Sequence, residues 1–143
     1  MQIAGSRSAF AAVRADGSVV SWGRRESGGD SSAVRDQLTE GVLQIVGSGE
    51  AFAAVKADGS IVSWGNGEYG GDSSAVKDQL TEGVLQIAGN VRAFAAVKAD
   101  GSVVSWGSSE YGGESMVSMV SKVSMSVFAA SPTWGSTVFL DQG

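Results

Sequence analysis

Ala51-Phe52-Ala53-Ala54-Val55-Lys56-Ala57-Asp58-Gly59-Ser60-Ile61-Val62-Ser63-Trp64-Gly65 reads as a β-hairpin. Two short runs rich in β-branched and aromatic residues flank Asp-Gly, a strong short-range turn signal. The same string stands 42 residues earlier, with Phe10, Asp16-Gly17 and Trp22, and 42 residues later, with Phe94, Asp100-Gly101 and Trp106. Units 2–43 and 44–85 share 33 of 42 residues, and unit 86–127 matches its predecessor at 22 of its first 30. A fixed period of this length marks stacked supersecondary units, whose core forms at unit-to-unit interfaces.

Ahead of each hairpin lies a further apolar run ended by glycine, Val42-Leu43-Gln44-Ile45-Val46 and Val84-Leu85-Gln86-Ile87-Ala88. Each unit is therefore expected to be an antiparallel meander with Asp-Gly in a type I′ turn, both central residues at positive φ. Trp22, Trp64 and Trp106 alternate in phase with Val20, Val62 and Val104, so each pair shares a sheet face and is expected to form core against the next unit. Residues 72–80, Asp72-Ser73-Ser74-Ala75-Val76-Lys77-Asp78-Gln79-Leu80, fit either a twisted outer strand or one helical turn capped by Asp72 or Ser73.

The expected fold is all-β: about three propeller-like blades of antiparallel strands in residues 1–115, with units 2–43, 44–85 and 86–127 set by the period. Propellers have four to eight blades. Three form an incomplete ring, which implies a piece of a longer array, an open arc, or a homodimer that closes the propeller. Residues 116–143 form a degenerate segment. Ser115, Ser118, Ser121 and Ser124 mark a triplet run that fits neither strand nor helix, and Gly143 falls in phase with Gly101, which puts the start of a fourth unit in residues 135–143.

Composition removes whole classes of function. The 143-residue chain has no cysteine and no histidine, hence no thiol chemistry and no imidazole base or ligand. A formal net charge of −5 opposes nucleic-acid binding, which needs a basic face. The start, Met1-Gln2-Ile3-Ala4-Gly5-Ser6-Arg7, has neither the basic nor the apolar region of a secretory signal, and no stretch has the apolar length of a membrane span. A soluble chain is expected, the cytoplasm slightly favoured over other compartments.

Catalytic, cofactor and metal sites are not expected. Gly65-Asn66-Gly67-Glu68-Tyr69-Gly70 spells a dinucleotide fingerprint, but unit one has Arg24-Arg25 and unit three Ser108-Ser109 at the middle positions, and no crossover helix follows. Glu68 with Asp72 offers too few oxygens for calcium and reads as a solvated loop with a capping acid. The Asp-Gly carboxylates recur in every unit, which suits a turn better than a catalyst.

The informative signal is where the units differ. Non-conservative changes gather at 6–8, 48–50 and 90–92 and at 24–25, 66–67 and 108–109. A meander brings these connections to one end and Asp-Gly to the other, so one rim varies on a constant frame, as a binding surface does. The candidate partner-binding residues are Arg7, Arg24, Arg25, Glu50, Asn66, Tyr69, Arg92 and Tyr111.

The string Asp-Gly-x-Val-x-x-Trp-Gly, seen at Asp16 to Gly23 and Asp100 to Gly107 and with Ile61 for the first Val at Asp58 to Gly65, resembles the repeat of the regulator of chromosome condensation family over about residues 2–115. Ala9-Phe10, Ala51-Phe52 and Ala93-Phe94 stand where that family often has His-Thr. The resemblance implies propeller blades and a non-enzymatic module for protein–protein interaction, as in partner recognition by ubiquitin-ligase-like proteins or in small-GTPase regulation. The alternative is a secreted or surface carbohydrate-binding propeller with tryptophan platforms.

Overall fold

The computed structural model describes residues 1–113 in full and, beyond them, the backbone of two strands at 123–128 and 137–140. Three sheets follow one another along the chain. The first joins β1 (Gln2–Gly5), β2 (Ala9–Val13) and β3 (Val19–Gly23), the second β4 (Val42–Gly47), β5 (Ala51–Lys56) and β6 (Ile61–Gly65), and the third β7 (Val84–Gly89), β8 (Ala93–Lys98) and β9 (Val103–Gly107). All pairings are antiparallel in sequence order, so each sheet is the expected meander. Strands β10 (Val123–Phe128) and β11 (Thr137–Leu140) pair antiparallel, and β11 lies in phase with the second strand of the earlier units.

The hairpin turn differs from the type I′ expectation. The Gly17 amide donates to the Arg14 carbonyl at 2.9 Å and the Arg14 amide to the Ser18 carbonyl at 2.8 Å. Gly17, Gly59 and Gly101 have φ of 81°, 80° and 88°, while no non-glycine residue among those described has positive φ. Ala and Asp thus occupy the centre of an ordinary turn, and glycine supplies the left-handed bulge after it. Register explains the choice. Phe10 pairs with Trp22, Phe52 with Trp64 and Phe94 with Trp106, so both rings lie on one face. A two-residue turn would slip the pairing by one position and send the rings to opposite faces.

Residues 72–80 resolve the open choice in favour of a helical turn. Ser32–Gln37 and Ser74–Gln79 are 3-10 segments, and Asp30 and Asp72 accept the Ser32 and Ser74 amides at 2.9 Å where they begin. Each segment packs against the outer strand of the following sheet, and the Leu38 and Leu80 side chains after them are buried.

The core lies between sheets. Ala9, Ala11 and Val13 form one face of β2 and meet Phe52, Ala54, Val62 and Trp64 of the second sheet. Ala51, Ala53 and Val55 meet Phe94, Ala96, Val104 and Trp106 of the third in the same way. A strand buried on both faces reads as a continuous apolar run, and alanine on one face makes room for the rings of the next unit. Contrary to expectation, the Trp face packs on the preceding unit: Trp64 Nε1 donates to the Gly28 carbonyl and Trp106 Nε1 to the Gly70 carbonyl, each at 3.0 Å. Phe52 seats so closely that a Cβ on Gly28 would lie 2.6 Å from its ring.

The Asp-Gly end joins the units. Gly17 and Gly59 carbonyls accept the Val42 and Val84 amides at 3.0 Å, and Gly41 and Gly83 carbonyls accept those of Ala57 at 2.6 Å and Ala99 at 2.8 Å. Within each turn the aspartate Oδ1 accepts from the serine two residues on, Oγ at 2.6 Å in all three. That hydroxyl first, then the serine amide, holds the Asp16, Asp58 and Asp100 carboxyls below the ordinary range. Stability from a depressed carboxylate is complete above the unfolded pKa and is lost as pH falls through the folded one. The thermal midpoint should therefore be level near neutrality and fall below about pH 4. Asn at all three positions should flatten part of that acid limb, leaving the share of Asp30, Asp72 and Glu26, whose carboxyls are also held down. An unchanged limb in a pH series of melting curves would remove these turns from the acid response.

Candidate interaction surface

The variable connections do share one end of the molecule. Backbone bonds link them from unit to unit, Arg7 N–H to Gly49 O at 2.8 Å and Gly49 N–H to Val91 O at 2.7 Å. Within units, the amides of Arg24, Asn66 and Ser108 donate to the carbonyls of Ser8, Glu50 and Arg92 at 2.9 Å. All eight candidate residues lie on or beside this frame. The loop position at 6, 48 and 90 carries a repeated tether that sequence reading passed over: Ser6 Oγ donates to Ser27 O and Ser48 Oγ to Tyr69 O at 2.6 Å, and Asn90 Nδ2 to Tyr111 O at 2.7 Å. A polar side chain at the same place in each unit was the available signal.

Side chains on the rim fall into two groups. Glu50 is largely enclosed: its Oε1 accepts from Ser27 Oγ at 3.3 Å and lies 3.9 Å from Arg7 Nη1. Asn66 Oδ1 accepts the Glu68 amide at 2.9 Å and caps its turn. Tyr69 and Tyr111 flank Arg92, whose Cζ lies 4.7 Å and 5.6 Å from the two ring centroids. The Glu50 contacts and the Arg92–Tyr69 contact tie neighbouring units, whereas the Asn66 cap lies within its own loop. Arg24 and Arg25 point to solvent, 63% and 82% exposed, with Glu26 Oε2 at 3.1 Å from Arg24 Nε and Asp30 Oδ2 at 3.5 Å from Arg25 Nε. Exposed pairs of this kind contribute at most about 1 kcal/mol, so both guanidiniums can exchange partners at little cost. Arg25, Glu26, Gly65 and Asn66 line an open depression between units one and two.

Among the described residues no group of three or more acidic, histidine or cysteine side chains is placed to hold a metal ion. No helix among them is long and apolar enough to cross a membrane. The tryptophan platforms of the carbohydrate alternative are covered in two units: Trp64 and Trp106 are 3% and 2% exposed, and only Trp22, at 46%, is open among the described three.

Fold and rim define an open set of β-propeller blades with one variable edge. Human WBSCR16 matches it with a TM-score of 0.54 and 25% identity over 75% of this chain and 32% of that one. Prp20p from Saccharomyces cerevisiae, studied for its binding to Gsp1p and histones, matches with a TM-score of 0.53 and 21% identity over 74% of this chain and 30% of that one. Yeast RCC1 (Prp20) bound to Kap60 matches with a TM-score of 0.52 and 21% identity over 74% and 29%. The blades thus have the fold of those in regulator of chromosome condensation propellers, and the chain spans less than a third of the length of each solved structure named here. No protein-family model and no curated protein matches it.

Proposed function

We propose that the chain is a non-enzymatic protein-recognition module of the regulator of chromosome condensation type, working in the cytoplasm, with the unit-one arginines as its contact. The observation that carries this reading is the contrast between ends. The Asp-Gly end is constant and uses its carboxylates inside its own turns, whereas the opposite rim varies and presents Arg24 and Arg25 with only exposed, exchangeable partners. Such a rim suits an acidic protein surface and acts through charge complementarity. Partner recognition in a ubiquitin-ligase-like protein and regulation of a small GTPase are the settings that fit. Protein partners of Prp20 support this direction.

The test titrates the chain against a purified small GTPase of the Gsp1p kind and against an acidic model peptide, at low and high salt. Arg7→Gln, Arg24→Gln and Arg25→Gln together should weaken low-salt binding about tenfold or more, since rim charges act mainly through long-range attraction. Binding that is equal in the wild type and the triple variant, or absent for both probes, would remove the arginine rim from the proposal.

A further inference from the structure

The joint between units one and two is electrically closed. Glu50 Oε1 accepts from Ser27 Oγ at 3.3 Å and lies 3.9 Å from Arg7 Nη1. One period on, the same three places hold Arg92 for Glu50, Tyr69 for Ser27 and Gly49 for Arg7. The charge is reversed and its counter-charge is deleted. Among the described residues the Arg92 guanidinium forms no ion pair and donates no hydrogen bond; only the backbone amide of Arg92 reaches a side chain, Asn90 Oδ1 at 3.0 Å.

Two tyrosines hold this cation in place. Arg92 Cζ lies 4.7 Å from the Tyr69 centroid and 5.6 Å from that of Tyr111, within the range of cation–π attraction. A ring attracts the guanidinium but gives its N–H groups no oxygen to bond, so the donor fork stays available. The loops that carry the rings are themselves tethered. Ser48 Oγ donates to Tyr69 O at 2.6 Å and Asn90 Nδ2 to Tyr111 O at 2.7 Å. Gly49 adds to this, since a Cβ there would lie 3.2 Å from the Tyr69 ring. A cation fixed before its ligand arrives loses little freedom on binding.

The surroundings narrow the ligand. Tyr111 and Val91 leave apolar area beside the cation, 44% and 39% exposed. Glu68 and Glu110, next to the two tyrosines in sequence, are exposed and form no ion pair among the described residues. Acidic neighbours disfavour a polyanion such as nucleic acid. One carboxylate is tolerated, and a guanidinium takes it through two parallel hydrogen bonds.

We propose that Arg92 receives a single carboxylate from a partner protein, carried by an aspartate or glutamate whose neighbouring apolar side chain covers Tyr111 and Val91. Arginine and tyrosine at the centre of a contact are the residues that dominate protein interfaces. The site rests on the reading of the chain as a protein-recognition module but on none of the unit-one arginines.

The probe is the peptide acetyl-Gly-Glu-Gly-Phe-Gly-amide, whose Glu and Phe share one side of an extended chain. Nuclear magnetic resonance on residues 1–143 follows the Arg92 Nε–H and the Tyr111 ring. The wild type should show a saturable shift, and the same peptide with Gln for Glu should bind about tenfold or more weaker, the loss expected when charge-assisted hydrogen bonds go. Arg92→Gln should lose binding to the same extent. Arg92→Lys keeps the charge without the fork and should weaken binding about threefold or more; it serves alone should the Gln variant not match the wild type in circular dichroism. The triple Gln variant of Arg7, Arg24 and Arg25 should bind this peptide as the wild type does, so failure here and failure of the unit-one contact are told apart. Loss of the peptide in the triple variant, with Arg92→Gln unaffected, would place the contact on unit one instead. Equal affinity for the Glu and Gln peptides overturns the proposal. So does a wild type that shows no shift, the result expected if Glu68 or Glu110 takes the fork, and so does a single-stranded oligonucleotide that displaces the peptide, which would make the ligand a phosphate.

Discussion

Phe52→Ala is expected to cost about 3–5 kcal/mol, and Phe10→Ala, the same change one period earlier, about 1 kcal/mol. Both rings pair with a tryptophan across the strand, at centroid distances of 5.6 and 5.8 Å. Only their cover differs. Phe52 is 0% exposed and wedged against Gly28, so its loss leaves a cavity between two units, whereas Phe10 is half exposed and leaves none. Domains are stable by about 5–15 kcal/mol in total, so the first loss should be visible as a large drop in denaturant midpoint. Chemical denaturation of both variants, at concentrations where the chain is monomeric, is the measurement. Equal costs would mean that the interface between units one and two does not form in solution.

The second large effect comes from the other side of that wedge. Gly28→Ala places a methyl group 2.6 Å from the Phe52 ring at a φ of 94°. The left-handed backbone contributes about 1–2 kcal/mol and the overpacking about 1–3 kcal/mol, giving about 2–5 kcal/mol in all. Gly112→Ala, with a φ of 91° and, among the described residues, no atom within 4 Å of the added carbon, should show only the backbone part, about 1–2 kcal/mol. The difference between the two, read from the same denaturation curves under monomeric conditions, isolates the packing contribution. A Gly112 variant as unstable as its Gly28 counterpart would contradict the seat assigned to the aromatic ring.

The repeated Phe, Asp-Gly and Trp marks were enough to read three antiparallel meanders, because turn chemistry and strand alternation are local properties. The turn type was misread, because Asp-Gly alone points to a two-residue turn; the observed pairing of Phe10 with Trp22, which needs an odd number of residues between the strands, excludes it. Which neighbour covers the Trp face was not legible, since it depends on how successive sheets stack and not on any one strand. The rim was found by comparing units, yet the same comparison could not separate Arg24 and Arg25, which face solvent, from Glu50, Tyr69 and Arg92, which hold neighbouring units together. Both groups vary, the second because each interface has its own way of making the same tie.

The placement of the core between units also bears on how such a chain can change length. Buried contacts between units join one position in a unit to a fixed position in the next, so removing or duplicating a whole period rejoins surfaces that already fit. A cut of any other size removes part of a unit and leaves a face without its fitted neighbour. The number of blades is therefore the most easily inherited variable of this architecture, and the near-identity of units 2–43 and 44–85, at 33 of 42 residues, is what a recent copying of one period leaves behind.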